Sequence, residues 1–521
     1  MRITTCLVLS GIGVLCAIAQ DIDNDDTPRV SKASPQQSRT LKMLARELLD
    51  EAFRAAPAAS HSDIPVFALL HIGQNYLLFD SKKGTEILTQ AFEAAQALDT
   101  ESRREVQADV VDALVDVDLA HAIAMLRTLD AADVGEVDFR MRPTGNIVSA
   151  LLKRGSVDEA LDCLSVVGSQ GEYPFRAAGL LFDQLTADDP RRLSLFSSAV
   201  SAFTARGRGA VSDFFLKRWR QVPRNLAESG VQALIDNALA ETQKSEEGSQ
   251  TTLTASKGAI TLSSRQDAAL FDIMYVLREV DAKRADALLE GRPALRAALA
   301  QFPQGRASMK GSDDEFVSVS TYVGPKQKMH TQDSTYSISE SRAAQAAALL
   351  SKDADRALDV IRSIPDPSLR AQALASAVRA FSGSERADRL LSEALELVDK
   401  LQVPNQRIRV LSSVAEAAGS MKRLDVARAA IGRAMSEVET LYQRDTDRDR
   451  PNSALREYWP STQAYRKLAW RAGALFGEDG LSLLAGIKDN DLALLAKIEF
   501  AQALLNRPAT PGAVRLQYRQ R

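Results

Sequence analysis

Cysteine is scarce in this 521-residue chain, and two of its three, Cys6 and Cys16, fall within or beside an apolar N-terminal run. Without that run a single thiol, Cys163, is left, which excludes an intramolecular disulfide framework. Histidine is almost as rare: His61, His71, His121 and His330 form no H-E-x-x-H, and none has a second His or Cys at metal-ligand spacing. Neither sign of charge is in excess, with 65 Lys and Arg against 68 Asp and Glu, so the chain lacks the overall basic balance of a nucleic-acid-binding protein. P-loop, G-x-G-x-x-G and G-x-S-x-G patterns are missing, so no cofactor, metal or catalytic residue is expected. Beyond the N-terminus no apolar stretch approaches the ~18 residues of a membrane span. Aromatic residues make up only 6%, which sets an Ala- and Leu-rich chain of helices against sugar-stacking enzymes.

The N-terminal "MRITTCLVLSGIGVLCAIAQD" has one cation, Arg2, an apolar run from Leu7 to Ile18, and small residues at Ala17 and Ala19. That is the pattern of a secretory signal, with cleavage predicted before Gln20 and a periplasmic or secreted product. Bulky Leu15 before Cys16 argues against a lipidation signal.

Two kinds of segment recur. One reads "ELLDEAFRAA" (47–56), "EILTQAFEAA" (86–95), "RLLSEALELV" (389–398) and "AAIGRAMSEV" (429–438), with starts 39 residues apart in the first tandem pair and 40 in the second. The other reads "AIAMLRTL" (122–129), "ALDCLSVV" (160–167), "ALDVIRSI" (357–364) and "GLSLLAGI" (480–487). Each places apolar residues on one helical stripe, and a two-helix unit of this size has to lean on its neighbours to bury it. One joint is explicit in "SIPDPSLR" (363–370): Pro365 bars the first helix from continuing, Asp366 is an N-cap, and Pro367 sits at the first helical position. Asp189-Pro190 repeats the device, and Asp489-Asn490-Asp491 is a looser form.

Residues 408–441 resemble a tetratricopeptide repeat of about 34 residues, with Leu411, Val414, Ala415 and Ala418 matching its first helix and Ala427, Ile431 and Ala434 its second. "RGSVDEALDCL" (154–164) resembles it too, through Gly155 at the turn and Ala160 and Leu164 beyond it, as does Leu69-x2-Ile72-Gly73-x2-Tyr76. The motif's Trp and its closing Pro are absent. The chain is thus similar to a degenerate tetratricopeptide-like α-solenoid: all-α, a right-handed superhelix of antiparallel helix pairs. That resemblance implies binding of a protein or peptide partner.

Two polar stretches interrupt the pattern, 241–267 and 302–342, flanking a helical island at 268–300. Both read as linkers, although "FVSVSTYV" in the second alternates like a short β-hairpin or edge strand. The expected organisation is a signal at 1–19, a helical-repeat domain at 20–240, the linkers and island at 241–342, a second repeat domain at 343–506, and a tail at 507–521.

Few residues stand out chemically. Cys163 occupies the repeat position held by Met125, Val360 and Leu483, so it is expected as a buried hydrophobe. Asp445, Asp447 and Asp449 open like an EF-hand, but Arg450 and Arg456 replace the Gly and Glu that a calcium loop needs, which leaves a solvated interhelix loop. His71 is expected as a satisfied helix histidine, and His61 with Asp63 as loop residues. "DFFLKRWRQ" (213–221) and "REYWPSTQAYRKLAW" (456–470) combine aromatic residues with arginines, the composition of interface hot spots, and Phe215, Trp219, Arg220 and Trp459 are the candidate partner-binding residues. The leading expectation is a non-catalytic exported scaffold. The alternatives are an envelope-assembly component docking through its basic "VRLQYRQR" tail and an α/α-toroid polysaccharide-active enzyme.

Overall fold

A computed structural model describes residues 35–131, 137–167, 173–206, 212–240, 250–255, 257–310, 318–322, 331–447 and 455–506. The signal, the tail, His330, Asp449 and Arg450 lie outside the described residues. In chain order the helices begin with α1 (Pro35–Ala55), α2 (Ile64–Tyr76) and α3 (Ser81–Ala94). There follow α4 (Thr100–Leu114), α5 (Leu119–Leu126), α6 (Met141–Lys153), α7 (Val157–Ser165), α8 (Phe175–Gln184), α9 (Pro190–Arg206), α10 (Ser212–Arg218) and α11 (Arg224–Ala240). Strands β1 (Gln250–Ala255) and β2 (Gly258–Leu262) precede α12 (Arg265–Val280), α13 (Ala282–Leu289), α14 (Pro293–Gln301), α15 (Arg306–Met309) and β3 (Ser318–Tyr322). The chain continues through α16 (Thr331–Leu350), α17 (Ala354–Arg362), α18 (Pro367–Ala377), α19 (Glu385–Val398) and α20 (Pro404–Ser420). It closes with α21 (Leu424–Asp447), α22 (Pro460–Phe476), α23 (Leu481–Leu484) and α24 (Asn490–Asn506). The fold is all-α, a stack of helix pairs with one small sheet.

Two compact units form: residues 1–99 with 329–521, and residues 100–328. The divisions therefore fall at 99 and 328, away from the expected 240 and 342. In the first unit the physical reason is plain, because the C-terminal α24 packs against the N-terminal α1 and α2. Its core is continuous from Leu49 on α1 through Ile361, Leu411 and Ile431 to Phe500 on α24.

Within this unit the helices play two roles. Outer α19 buries one face through Leu390, Leu391, Ala394, Leu397 and Val398 and leaves its charged face in water. Inner α18 and α24 are apolar nearly all round, the signature of a helix enclosed by neighbours. Inner helices lie side by side in the order α16, α18, α20, α22, α24. The positions matched to the tetratricopeptide motif in 408–441 are all buried between α20, α21 and their neighbours.

Joints are written with aspartates. Asp80, Asp118, Asp281, Asp353, Asp366 and Asp489 each accept a hydrogen bond from the backbone N–H three residues on, at 2.7–3.1 Å. Each satisfies one of the orphan donors of the helix it opens. Gly155 ends α6 in the left-handed region at φ 78°, with Ser156 N–H bonding Leu151 O at 3.0 Å. The same turn after α20 puts Lys422 there at φ 61°, a conformation that costs a side chain and suits glycine. Gly73 is where α2 and α3 touch: a Cβ there would meet Leu88 Cγ at 2.7 Å.

In the second unit β1 pairs antiparallel with β2 and with β3, in the order β2-β1-β3. The hairpin is thus β1–β2, inside the stretch expected to be a linker, and the 302–342 insert supplies an edge strand. Thr251 and Leu253 point inward while their neighbours face water, a period of two that the Thr-rich composition disguises.

Candidate functional site

The candidate residues sort by unit. In the second, Phe214 and Phe215 are buried and pack with Phe175, Phe182, Phe196 and Phe203, with ring centroids 5.2–6.5 Å apart. Phe215 is therefore a core anchor and presents no ring to a partner. Arg218 turns back to Asp183 and over the Phe214 ring. Trp219 is half-buried beneath the exposed Arg220, whose guanidinium lies 4.8 Å from the indole and pairs with Glu279.

Trp459, in the first unit, borders a buried polar network that joins residues 60–71 to residues 442–499. The short helical turn Arg456–Tyr458 holds Arg456 and Glu457 inside the fold. Arg456 Nη1 donates to Asp491 Oδ2 at 2.9 Å and Nη2 to Asp489 Oδ2 at 2.5 Å and to the Tyr442 hydroxyl at 2.7 Å. Asp491 also accepts from the backbone N–H of Ser60 (2.9 Å) and His61 (3.2 Å). His61 Nδ1 lies 2.9 Å from Asp491 Oδ2 and 2.5 Å from Arg456 Nη1. The indole of Trp459 lies 5.6 Å from the Arg456 guanidinium, and its ring centre lies 6.3 Å from that of His61.

A second set of bonds continues the first. Glu457 N–H donates to Asp63 Oδ2 at 3.2 Å, Glu457 Oε1 meets His71 Nε2 at 3.2 Å and Arg466, and Arg466 Nε donates to Glu499 at 2.9 Å. His71 is the satisfied helix histidine expected from the sequence. His61 and Asp63, expected as plain loop residues, are instead fixed to the far end of the chain. Asp445 and Asp447 belong to α21 rather than to a loop, and Asp445 is buried, accepting from Ser461 N–H at 3.0 Å.

Electrostatics fit a joint. Burial raises the carboxyl of Asp63 above the usual range, and its hydrogen bonds do not offset it. Burial also opposes ionisation of Asp489, but bonds from Leu492 N–H, Arg456 and Tyr442 outweigh it and hold that carboxyl below its ordinary value. Tyr442 is pushed up to about 12 by burial and by the Asp489 carboxylate it bonds. The half-exposed His61 over the buried Asp491 has the outline of an acid–base dyad. Arg456 occupies the same carboxylate, so the aspartate serves to tie segments together. Among the described residues no group of three or more His, Cys, Asp or Glu side chains is arranged to hold a metal. Cys163 is fully buried in α7, and burial pushes its thiol up, as befits a core residue.

Sequence reasoning met Arg456 only as a misfit in a calcium loop and, with Glu457 and Arg466, as part of an aromatic–arginine stretch, passed over Glu499, and read Asp489 and Asp491 only as capping residues. The signal available was their company: charged residues set among Tyr458, Trp459 and Tyr465 in a helical stretch have to find partners.

No protein-family model matches the chain, and no curated protein matches it either. Among solved structures, one described as a circular tandem repeat protein with novel repeat topology and enhanced subunit contact surfaces is 13% identical. The match covers 90% of this chain and 96% of that one, at a TM-score of 0.16. Ton1535 from Thermococcus onnurineus NA1 is 13% identical over 77% of this chain and 98% of its own, at a TM-score of 0.18. Likenesses that faint carry no argument about this protein. Among the described residues no helix is long and apolar enough to cross a membrane.

Proposed function

We propose that the chain is an exported, non-catalytic scaffold whose tetratricopeptide-like surface binds a protein or peptide partner. The observation that carries this reading is the row of inner helices in the first unit. The middle three, α18, α20 and α22, are enclosed on their flanks and leave a single narrow stripe in the open: Gln372 and Ser376 on α18, Arg409, Ser413 and Glu416 on α20, Lys467 and Arg471 on α22. Adjacent stripes make a continuous polar surface over a rigid apolar base, a form suited to receiving an extended chain. The burial of Leu411, Val414, Ala415, Ala427, Ile431 and Ala434 supports the tetratricopeptide-like reading of that base. Trp219 with Arg220, and Trp459, are secondary contact candidates at the surface of their own units.

The test uses a photo-crosslinking amino acid placed at Ser413 on the inner stripe or at the exposed Ser436 on outer α21. Irradiation in the native envelope should trap a partner through position 413 and not through 436. Failure to trap any protein at 413, together with polysaccharide turnover by the purified chain, would overturn the reading. N-terminal sequencing of the exported product should begin at Gln20.

A further inference from the structure

The inner stripes are not electrically neutral. Arg379, in the turn that follows α18, and Arg471 on α22 both reach Glu416 on the α20 between them, at 3.3 and 3.4 Å. One carboxylate thus aligns three adjacent helices. On the same stripes stand Lys467, one turn from Arg471 on α22, and Arg409, two turns from Glu416 on α20, and neither makes an ion pair with a carboxylate among the described residues. The strip therefore carries four cations against one acid, in a chain whose overall charge is −3. Other arginines of this unit pair with carboxylates of a neighbouring helix pair, as Arg407 does with Glu437, Arg423 with Asp388 and Arg433 with Asp399.

Charge says what would cover it. The side chains beside the cations are small, with the hydroxyls of Ser376 and Ser413 bonded back to Gln372 O and Arg409 O, and the charge left in the open is cationic. We infer that the strip Arg379–Arg409–Lys467–Arg471 is a docking site for an acidic peptide segment. The ammonium of Lys467 is held below the ordinary lysine value first by burial and then by Arg471, Arg409 and Arg466, and an incoming carboxylate would relieve that repulsion. This inference rests on the scaffold reading and narrows its partner.

The experiment measures binding of a labelled synthetic (Glu-Pro-Pro) repeat peptide to the mature full chain by fluorescence anisotropy. A (Lys-Pro-Pro) peptide serves as the control. The acidic peptide should bind, and weaken steeply with salt. The double variant Arg409→Glu/Lys467→Glu should lose affinity by about tenfold or more, since it reverses two facing charges. Arg423→Glu, on the outer surface, should leave binding unchanged, with circular dichroism confirming that each variant is folded. Equal affinity of the double variant and the parent chain would overturn the inference. So would tighter binding of a uronate polysaccharide than of the peptide. A partner trapped at Ser413 but indifferent to the charge reversal would refute the acidic-peptide site and leave the scaffold reading standing, whereas no peptide binding and no trapping, together with polysaccharide turnover, would refute both.

Discussion

Arg456 with Asp491 and Arg423 with Asp388 are the same interaction written twice. Each joins a guanidinium to an aspartate 35 residues away, at 2.9 Å in the first pair and 2.5 Å in the second. The side chains of the first pair are 2% and 1% exposed, those of the second 44% and 55%. Many others share this pattern: Arg–carboxylate pairs link positions 30–37 residues apart along both units, marking the repeat period in contacts. Water decides what each is worth. Exposed pairs gain little and set register between repeats, whereas a buried pair is held by partners whose removal strands a charge.

The largest effect should come from breaking the buried member. Arg456→Ala leaves Asp491 enclosed without its guanidinium and Asp489 and Tyr442 without their shared donor, and should cost about 3–5 kcal/mol. The loss falls on the unit that contains Arg456 and its partners. Differential scanning calorimetry would show one transition moving down by many degrees. A shift no larger than that of an exposed-pair variant would show that the joint is solvated.

A smaller effect separates the acids within the joint. Asp489, with its carboxyl depressed, contributes stability above the ordinary aspartate value of 3.8 and loses it as the pH falls through the lower folded value. Asp63 acts oppositely. With its carboxyl raised, it favours the fold below 3.8, and that contribution disappears as the pH rises through the folded value. Asp63→Asn keeps an acceptor for Glu457 N–H and removes the penalty, so the variant should melt above the parent at neutral pH. The advantage should fade below the ordinary aspartate range. A variant no more stable at pH 7 would mean that Asp63 is not desolvated.

What the sequence made legible follows the range of the forces. Asp366-Pro367 announced a capped helix start, and Cys163 fell on a buried stripe, because both depend on residues within one or two turns. The β1–β2 hairpin was obscured although it is local, since Thr-rich strands with few large apolar residues look like linker. The joint could not be read at all: His61 and Asp491 are 430 positions apart, and no periodicity relates them. Phe215 and Trp219 looked alike as aromatic residues beside arginines. Only the packing of the second unit assigns one to the core and the other to the surface.

The smallest predicted effect is the one that most sharpens the comparison. Arg423→Met keeps the apolar stem and removes the guanidinium from Asp388 and from Asp425, 3.8 Å away. Both aspartates stay in water, so neither becomes a stranded charge, and Coulomb attraction across an exposed pair is screened at physiological salt. The cost should be below ~1 kcal/mol and should shrink further in high salt. Arg456→Ala should show no such salt dependence, because its partners are enclosed. Equal losses for the two variants would mean that spacing, and not burial, sets the strength of these pairs. In that case the whole ladder of arginines, rather than the single joint at Arg456, would hold the stack together.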